Sequence, residues 1–406
     1  MKSISREYEK YIRFYLDSVI IPSEKKLNRT LYYSNPSKPF MAHIKQGADD
    51  DNYLFSTPMA VNWNLTSSCN FRCVHCLYNN TEYSNANDLS AKEAMALTEE
   101  LINDFGVTFV ILTGGEIFMR KDTMDIIRTL KRNNVAVRLL TNAALLNDEI
   151  IDELSEIFNP YVDSIHISLD GAKSETYEKI RGTKFFDKIV HNIKKLTDKN
   201  VKVLTVCTVN KINYDEVVDI YKLSVDLGVY SFISGNMIIH NPGHEKLMVP
   251  NNDLFKLFYK LSQAESPETV LSAKFFSQSE LINISEVQTI LEEPKYQKLL
   301  QKYYKNILPR TCQHNEKIAI QADGTIYLCL EALAHNVAPL GNYRDNSLLE
   351  IWENRFDNIL FQPRRIEDMV CNGCKYNVFC NGGCPVKAYI RTKNLNTPQI
   401  DCKMYV

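Results

Sequence analysis

Cys69, Cys73 and Cys76 form the run C-x3-C-x2-C within WNLTSSCNFRCVHCLYNN, three thiolates where a closed metal site needs four. A [4Fe–4S] cluster takes one cysteine per iron, so three close cysteines leave one iron open to a chelating small molecule. A zinc knuckle would want a fourth Cys or His at ligand spacing. His75 lies between Cys73 and Cys76, where so short a loop would strain it as a co-ligand.

The remaining cysteines point the same way. Ten of the eleven fall in two groups, and the second runs Cys312, Cys329, Cys371, Cys374, Cys380, Cys384 and Cys402. The N-terminal stretch MKSISREYEKYIRFYL is charged throughout and lacks an apolar core, so it does not read as a signal peptide. No apolar run reaches membrane-spanning length. A cytoplasmic location is expected, where thiols stay reduced and such spacing means metal rather than disulfides. Cys207, alone in the apolar run VKVLTVCTVN, reads as a small buried hydrophobe.

A chain of 406 residues holds one large domain and a smaller one, and 45% hydrophobic content allows a sizeable core. Its net charge of −2 offers no pull toward nucleic acid or an anionic membrane. From about residue 60 to 240, short apolar runs alternate with helical patterns, the signature of βα units on a parallel sheet. The strand candidates are MAVNWNL, TFVILTG, VAVRLLTN, SIHISLDG, KVLTVCTV and YSFISGNMII. Helical stretches such as SAKEAMALTEELINDF and NYDEVVDIYKLSVDLG separate them. Six strands with six helices make a partial (β/α)6 TIM-like barrel, in which function gathers at the C-terminal ends of the strands. The cysteine triad follows the first strand directly.

The expected organisation is α/β, with an N-terminal helical cap over residues 1–55 and the barrel over 56–242. A helical bridge over 243–311 then leads to a cysteine-rich domain over 312–406. An amphipathic helix is expected near Ser5–Val19. No strand-rich, leader-gripping element is visible in the N-terminal region, so a plain cap is expected there.

The triad followed by Tyr78 resembles the radical S-adenosylmethionine (radical SAM) superfamily. The resemblance implies that the open iron binds the amino and carboxylate groups of S-adenosyl-L-methionine, which is then cleaved to a 5′-deoxyadenosyl radical. The cofactor carries the hard chemistry and the protein supplies placement. Gly114, Gly115 and Glu116 of TGGE resemble the family motif that meets the methionine amino group, with Ile117 where proline is common. As a bare pattern, two glycines let backbone approach a ligand closely, or simply make a turn. Ser168 of SLDG resembles the ribose-contacting position, and Arg181 the carboxylate partner. The alternative is that Asp170 caps the next helix and Arg181 makes a surface ion pair. Asn142, in Thr-Asn-Ala, also reads as a plain strand-end turn.

The second cysteine group, with GGCP at Gly382 to Pro385, resembles the SPASM domain, which binds auxiliary iron–sulfur clusters. With the barrel, the resemblance spans about residues 56 to 406. It implies three [4Fe–4S] clusters in all. Cys371, Cys374, Cys380 and Cys402 would close a distal cluster, while Cys312, Cys329 and Cys384 would hold a proximal one with an iron open. Two closed clusters need eight cysteines and the domain has seven. His314 or a substrate atom could fill the vacancy, although His314 also reads as an ordinary loop histidine. A substrate thiolate is a natural ligand there.

The resemblance therefore implies a peptide-modifying enzyme of the RiPP-maturase kind, an oxidoreductase in which thioether crosslinking is one expected outcome. A flavodoxin or ferredoxin would supply electrons, and a separate protein could bind a leader peptide. A dehydrogenase or epimerase acting on a sugar or other small molecule is the alternative. Sulfatase-type maturation is disfavoured, because its branch has an acidic residue directly after the cysteine matching Cys329; this chain has Leu330 there. Glu331 would point elsewhere in an extended strand. An electron carrier or zinc module fits the open triad and TGGE poorly.

Overall fold

The computed structural model describes residues 58, 60–76, 86–237, 243–274, 317–362, 364, 366–374 and 382–398, with the backbone of short strands between 13 and 54. Tyr78, Cys312, His314, Cys380 and Cys402 lie outside the described residues.

All six expected strands form: β1 Ala60–Thr66, β2 Phe109–Gly114, β3 Ala136–Thr141, β4 Ser164–Ser168, β5 Val203–Val209 and β6 Ser231–Asn236. Each pairs in parallel with the next. A seventh parallel strand, β7 Val270–Lys274, extends the edge from β6. The sequence pattern assigns that segment to a helical bridge, because five residues ending in Ser-Ala-Lys carry too little β-branched signal to stand out.

The intervening helices are α1 Ala91–Asn103, α2 Thr123–Arg132, α3 Asp148–Ile157, α4 Ser174–Arg181, α5 Phe186–Asp198, α6 Val217–Asp226 and α7 Asn251–Gln263. Their apolar faces close on the sheet, as with Ile126, Ile127 and Leu130 of α2 and Ile189, Ile193 and Leu196 of α5. Ser90 and Glu93 start α1 with a reciprocal capping box, legible in the sequence as S-x-x-E. Every residue of β1 is buried, as expected of a strand with neighbours on both edges and layers on both faces.

The other neighbour of β1 comes from the C-terminal region. Strand β8, Lys317–Ile320, pairs parallel to β1, and β9 Thr325–Tyr327 and β10 Gly341–Asn342 follow antiparallel. One ten-stranded sheet thus runs through both parts of the chain. Asn64 Nδ2 donates to Gln321 Oε1 at 2.5 Å, and Leu89 N to Ala322 O at 2.7 Å, so the seam is closed by side chain and backbone. Beyond it, helices α8 Leu330–Ala334, α9 Leu348–Glu353 and α10 Pro385–Thr392 build a small second core around Leu328, Leu333, Leu360 and Val386.

The N-terminal region departs from the expected helical cap. Arg13–Tyr15 and Ser18–Ile20 pair as antiparallel strands, as do Thr30–Asn35 and Lys38–His43, and Lys45–Gln46 with Tyr53–Leu54. Arg-Phe-Tyr and Ser-Val-Ile carry aromatic and β-branched residues that favour pairing over a helical period.

Candidate active site

The loop carrying the triad leaves the C-terminal end of β1 and is fastened on three sides. Asp88 accepts Thr66 Oγ1 at 2.6 Å and Ser67 N at 3.0 Å. From β2, Gly115 N donates to Thr66 O and Glu116 N to Ser68 O, both at 2.8 Å. From α4, Ile180 O accepts Val74 N at 2.9 Å and Arg181 O accepts Arg72 N at 3.4 Å. Phe71 stacks on Phe185 with ring centroids 5.9 Å apart.

Glycines 114 and 115 serve this fastening. A Cβ on Gly115 would lie 2.1 Å from Ser68 O, and Gly114 holds φ +130° with Thr66 O where its Cβ would be. The close approach read from the sequence is real, and its partner within the chain is the cysteine loop.

Cys73 is buried, and Cys69 and Cys76 are half-buried. Burial pushes the Cys69 thiol up to about 11, helped by the neighbouring charges of Cys73 and Cys76, so the sulfurs are close enough to repel one another as thiolates. Such a group ionises when a cation takes it as ligand, and three soft donors on one partly exposed loop suit iron–sulfur chemistry. Among the described residues, no three His, Cys, Asp or Glu side chains are already gathered as a metal cage. His75 Nε2 lies 3.6 Å from Asp170 Oδ2, and burial lowers its pKa to about 4.

The ends of β3 and β4 complete the surroundings. Glu116 is buried, and its carboxylate accepts Thr141 Oγ1 at 2.6 Å, Asn142 N at 2.7 Å and Phe118 N at 3.3 Å. Burial shifts its pKa upward against those bonds. Asn142 Nδ2 reaches Asn70 Oδ1 at 2.8 Å, so the strand-end turn also touches the cysteine loop. Ser168 is half-buried at the end of β4.

Asp170 and Arg181 match neither role in the structural alternative. Helix α4 is capped by Lys173 without a side-chain bond, and Arg181 is buried. The guanidinium pairs with Asp170 Oδ2 at 2.5 Å and donates to Cys73 Sγ at 3.5 Å. Asp170 in turn accepts Thr208 N at 2.7 Å. Nothing in the sequence pattern joined these groups, because the contacts run between a strand end, a helix end and a loop.

In the C-terminal region, Cys329 and Cys384 come together although they lie far apart in sequence. Burial and the adjacent Cys384 both raise the Cys329 thiol, to about 11. Each stands at a helix start: Cys329 Sγ accepts Ala332 N at 3.5 Å at the head of α8, and Cys384 precedes Pro385 at the head of α10. Cys371 and Cys374 share a tight turn, Cys374 N donating to Cys371 O at 3.1 Å. Residues 330–334 are helical rather than extended, because Cys329 caps them, and Glu331 faces His335 at 3.5 Å. Cys207 is fully buried on β5, as expected, with Asn213 Nδ2 donating to its sulfur at 3.6 Å.

Arg344, which the sequence did not flag, binds the halves together. Arg344 donates to Glu93 Oε1 at 2.7 Å and to the carbonyls of Asn87 and Asp88 at 3.1 Å, bracing the residue that clamps the cysteine loop.

Comparison with known proteins agrees with this layout. Residues 63–224 match the Radical SAM superfamily, and residues 312–375 match SPASM, an iron–sulfur cluster-binding domain. The AdoMet-dependent heme synthase of Methanosarcina barkeri is 26% identical over 344 residues, covering 84% of this chain and 94% of the relative. The Fe-coproporphyrin III synthase of the same organism is 24% identical, covering 88% and 89%. Among solved structures, Streptococcus suis SuiB bound to S-adenosylmethionine has TM-score 0.66 at 20% identity, covering 86% of this chain and 78% of its own. SuiB bound to precursor peptide SuiA has TM-score 0.65 at 19% identity, covering 86% and 77%. Among the described residues no helix is long and apolar enough to cross a membrane. S-adenosyl-L-methionine and [4Fe–4S] clusters come with the two domains as cofactors. The parallel sheet, the triad at its C-terminal edge and both domain matches make this chain a radical SAM superfamily enzyme with a SPASM domain.

Proposed function

We propose that the chain is a radical SAM/SPASM maturase of a ribosomally made peptide. The observation that carries this reading is the likeness to SuiB in complex with its precursor peptide, which extends over 86% of this chain. Cys69, Cys73 and Cys76 would hold the cofactor-binding cluster, with Gly114, Gly115, Glu116, Ser168 and Tyr78 around the cofactor. Cys371, Cys374, Cys380 and Cys402 would close the distal auxiliary cluster. The approach of Cys329 to Cys384 supports their sharing a proximal cluster with Cys312. When bound, these groups supply hydrogen abstraction through a 5′-deoxyadenosyl radical and an acceptor for the electron left over when a new bond forms. The protein's own part is to fix the cysteine loop through Asp88, Gly115 and α4, beside the ends of β3 and β4.

Thioether formation is the specific outcome proposed, with a substrate cysteine as ligand to the proximal cluster. A flavodoxin or ferredoxin would reduce the enzyme in the cytoplasm, and a separate protein could present the leader. Leu330, exposed at the head of α8, offers no base directly after Cys329, and Glu331 on the same helix faces His335, which argues against sulfatase-type oxidation. A second reading, action on a small molecule, is favoured by the tetrapyrrole-synthase relatives, which align over most of their own length.

Anaerobic reconstitution with short cysteine-containing peptides encoded beside the gene, read by mass spectrometry, tests the proposal. A thioether removes two hydrogens, one from carbon and one from sulfur, so the product should be lighter by about two mass units. An unchanged peptide alongside formation of heme or Fe-coproporphyrin III would establish the second reading instead.

A further inference from the structure

The buried Asp170–Arg181 pair has no part in the proposed handling of the peptide, and its position calls for one. Arg181 Nη1 donates to Cys73 Sγ at 3.5 Å, and Nη2 pairs with Asp170 Oδ2 at 2.5 Å. Asp170 is fully buried and held by Thr208 N at 2.7 Å, so the guanidinium is aimed by a carboxylate that β5 itself locks in place. The same helix end fixes the backbone on both sides of Cys73, through Val74 N to Ile180 O and Arg72 N to Arg181 O. His75 Nε2 faces the carboxylate from the loop side at 3.6 Å.

We propose that Arg181, oriented by Asp170, sets the reduction potential of the cluster on the triad by giving Cys73 Sγ a hydrogen bond and a fixed positive charge. The proposal rests on that triad holding the cofactor-binding cluster. Potentials of iron–sulfur clusters follow hydrogen bonds to the sulfurs and local net charge. A buried ion pair contributes little net stability over an apolar pair of the same shape, so stability alone does not account for charges at this position. The guanidinium is also committed on both terminal nitrogens, one to the cluster ligand Cys73 and one to Asp170. Arg181 is thus a tuning residue, and Asp170 a positioning residue acting through it.

The charges make opposite predictions. A cluster gains one negative charge on reduction, so nearby positive charge favours the reduced form. Asp170→Asn leaves Arg181 uncompensated and should raise the midpoint. Arg181→Gln removes the donor and leaves a buried carboxylate, and should lower it. The full-length protein, reconstituted anaerobically, is titrated potentiometrically while following the reduced-cluster EPR signal that a Cys69→Ala/Cys73→Ala/Cys76→Ala variant lacks. Each variant should change the reduced-to-oxidised ratio at fixed potential by at least tenfold, about 59 mV for one electron, in opposite directions. Arg181→Lys, which keeps the charge, should move it less than Arg181→Gln.

Midpoints within threefold of the parent ratio, or two shifts of the same sign, would overturn the tuning role. Loss of the cluster from all three variants would also overturn it and assign the pair to loop structure. If instead the triad variant keeps every EPR signal and its full iron, the cluster assignment itself fails, an outcome distinct from unmoved midpoints.

Discussion

Gly115 and Ser68 meet so closely that a Cβ on the glycine would sit 2.1 Å from the serine carbonyl oxygen. The neighbouring bonds, Gly115 N to Thr66 O and Glu116 N to Ser68 O, both at 2.8 Å, make this the hinge between β2 and the cysteine loop. Gly115→Ala must push the loop away from the strand end. It should cost about 1–3 kcal/mol, the usual range for overpacking, and remove the triad's iron from reconstituted protein. Thermal melts with an iron assay check both, and normal iron content would contradict the role given to the glycine.

The triad predicts its own stoichiometry. Replacing Cys69, Cys73 and Cys76 together by alanine should lower iron by about four per chain and abolish reductive formation of 5′-deoxyadenosine, at four irons per cluster. Cys207→Ala, on buried β5, should leave iron unchanged and cost stability only, on the order of 1 kcal/mol as a small cavity.

What the sequence revealed, and what it hid, follows from range. The six central strands were legible because buried parallel strands read as apolar runs, and β1 with its C-x3-C-x2-C loop stood out by composition alone. Strand β7 was hidden by its short Val-Leu-Ser-Ala-Lys run, and the N-terminal strand pairs by charges that also suit a helix. At TGGE the sequence showed two glycines at a strand end, and only the fold shows that Thr66 and Ser68 occupy the space a side chain would need. Asp170 and Arg181 were visible as residues. Their ion pair was not, because it forms only when α4 packs its C-terminus against the cysteine loop.

Cys329 and Cys384 supply a test of shared ligation. If they bind one cluster, either single alanine variant should lose about four irons and the double variant no more, since both remove the same four-iron unit. Adding Cys371→Ala, in a separate turn, should then remove about four further irons. Independent losses from Cys329→Ala and Cys384→Ala would place them on different clusters.

Glu93 links helix start and C-terminal seam, and its charge carries a pH signature. The bond from Arg344, reinforced by the cap bonds of Ser90, holds its carboxyl down at about 2 against an ordinary 4.5. A depressed carboxylate contributes stability that is complete above the unfolded value and fades as pH falls from 4.5 through about 2. Glu93→Gln keeps the capping box but loses the charge, and should cost about 0.2–1 kcal/mol at neutral pH, as an exposed pair does. Melting curves of the two proteins should converge below pH 4.5, and a gap that widened on acidification would reverse the assignment.

Glu116 separates scaffold from cofactor chemistry. Its carboxylate satisfies Thr141 Oγ1, Asn142 N and Phe118 N, all at a buried strand end. Glu116→Ala strands those donors and should cost about 2–4 kcal/mol, since each unpaired buried group carries its own desolvation penalty. Glu116→Gln keeps the volume and one acceptor oxygen, so it should cost less, yet it removes the negative charge that a methionine ammonium would seek. If the carboxylate serves the cofactor as well as β3, Glu116→Gln will retain its fold and iron while binding S-adenosyl-L-methionine at least tenfold more weakly by calorimetry. If it serves β3 alone, binding will track stability across the two variants, and the glutamate belongs to the scaffold that holds Asn142 against the cysteine loop.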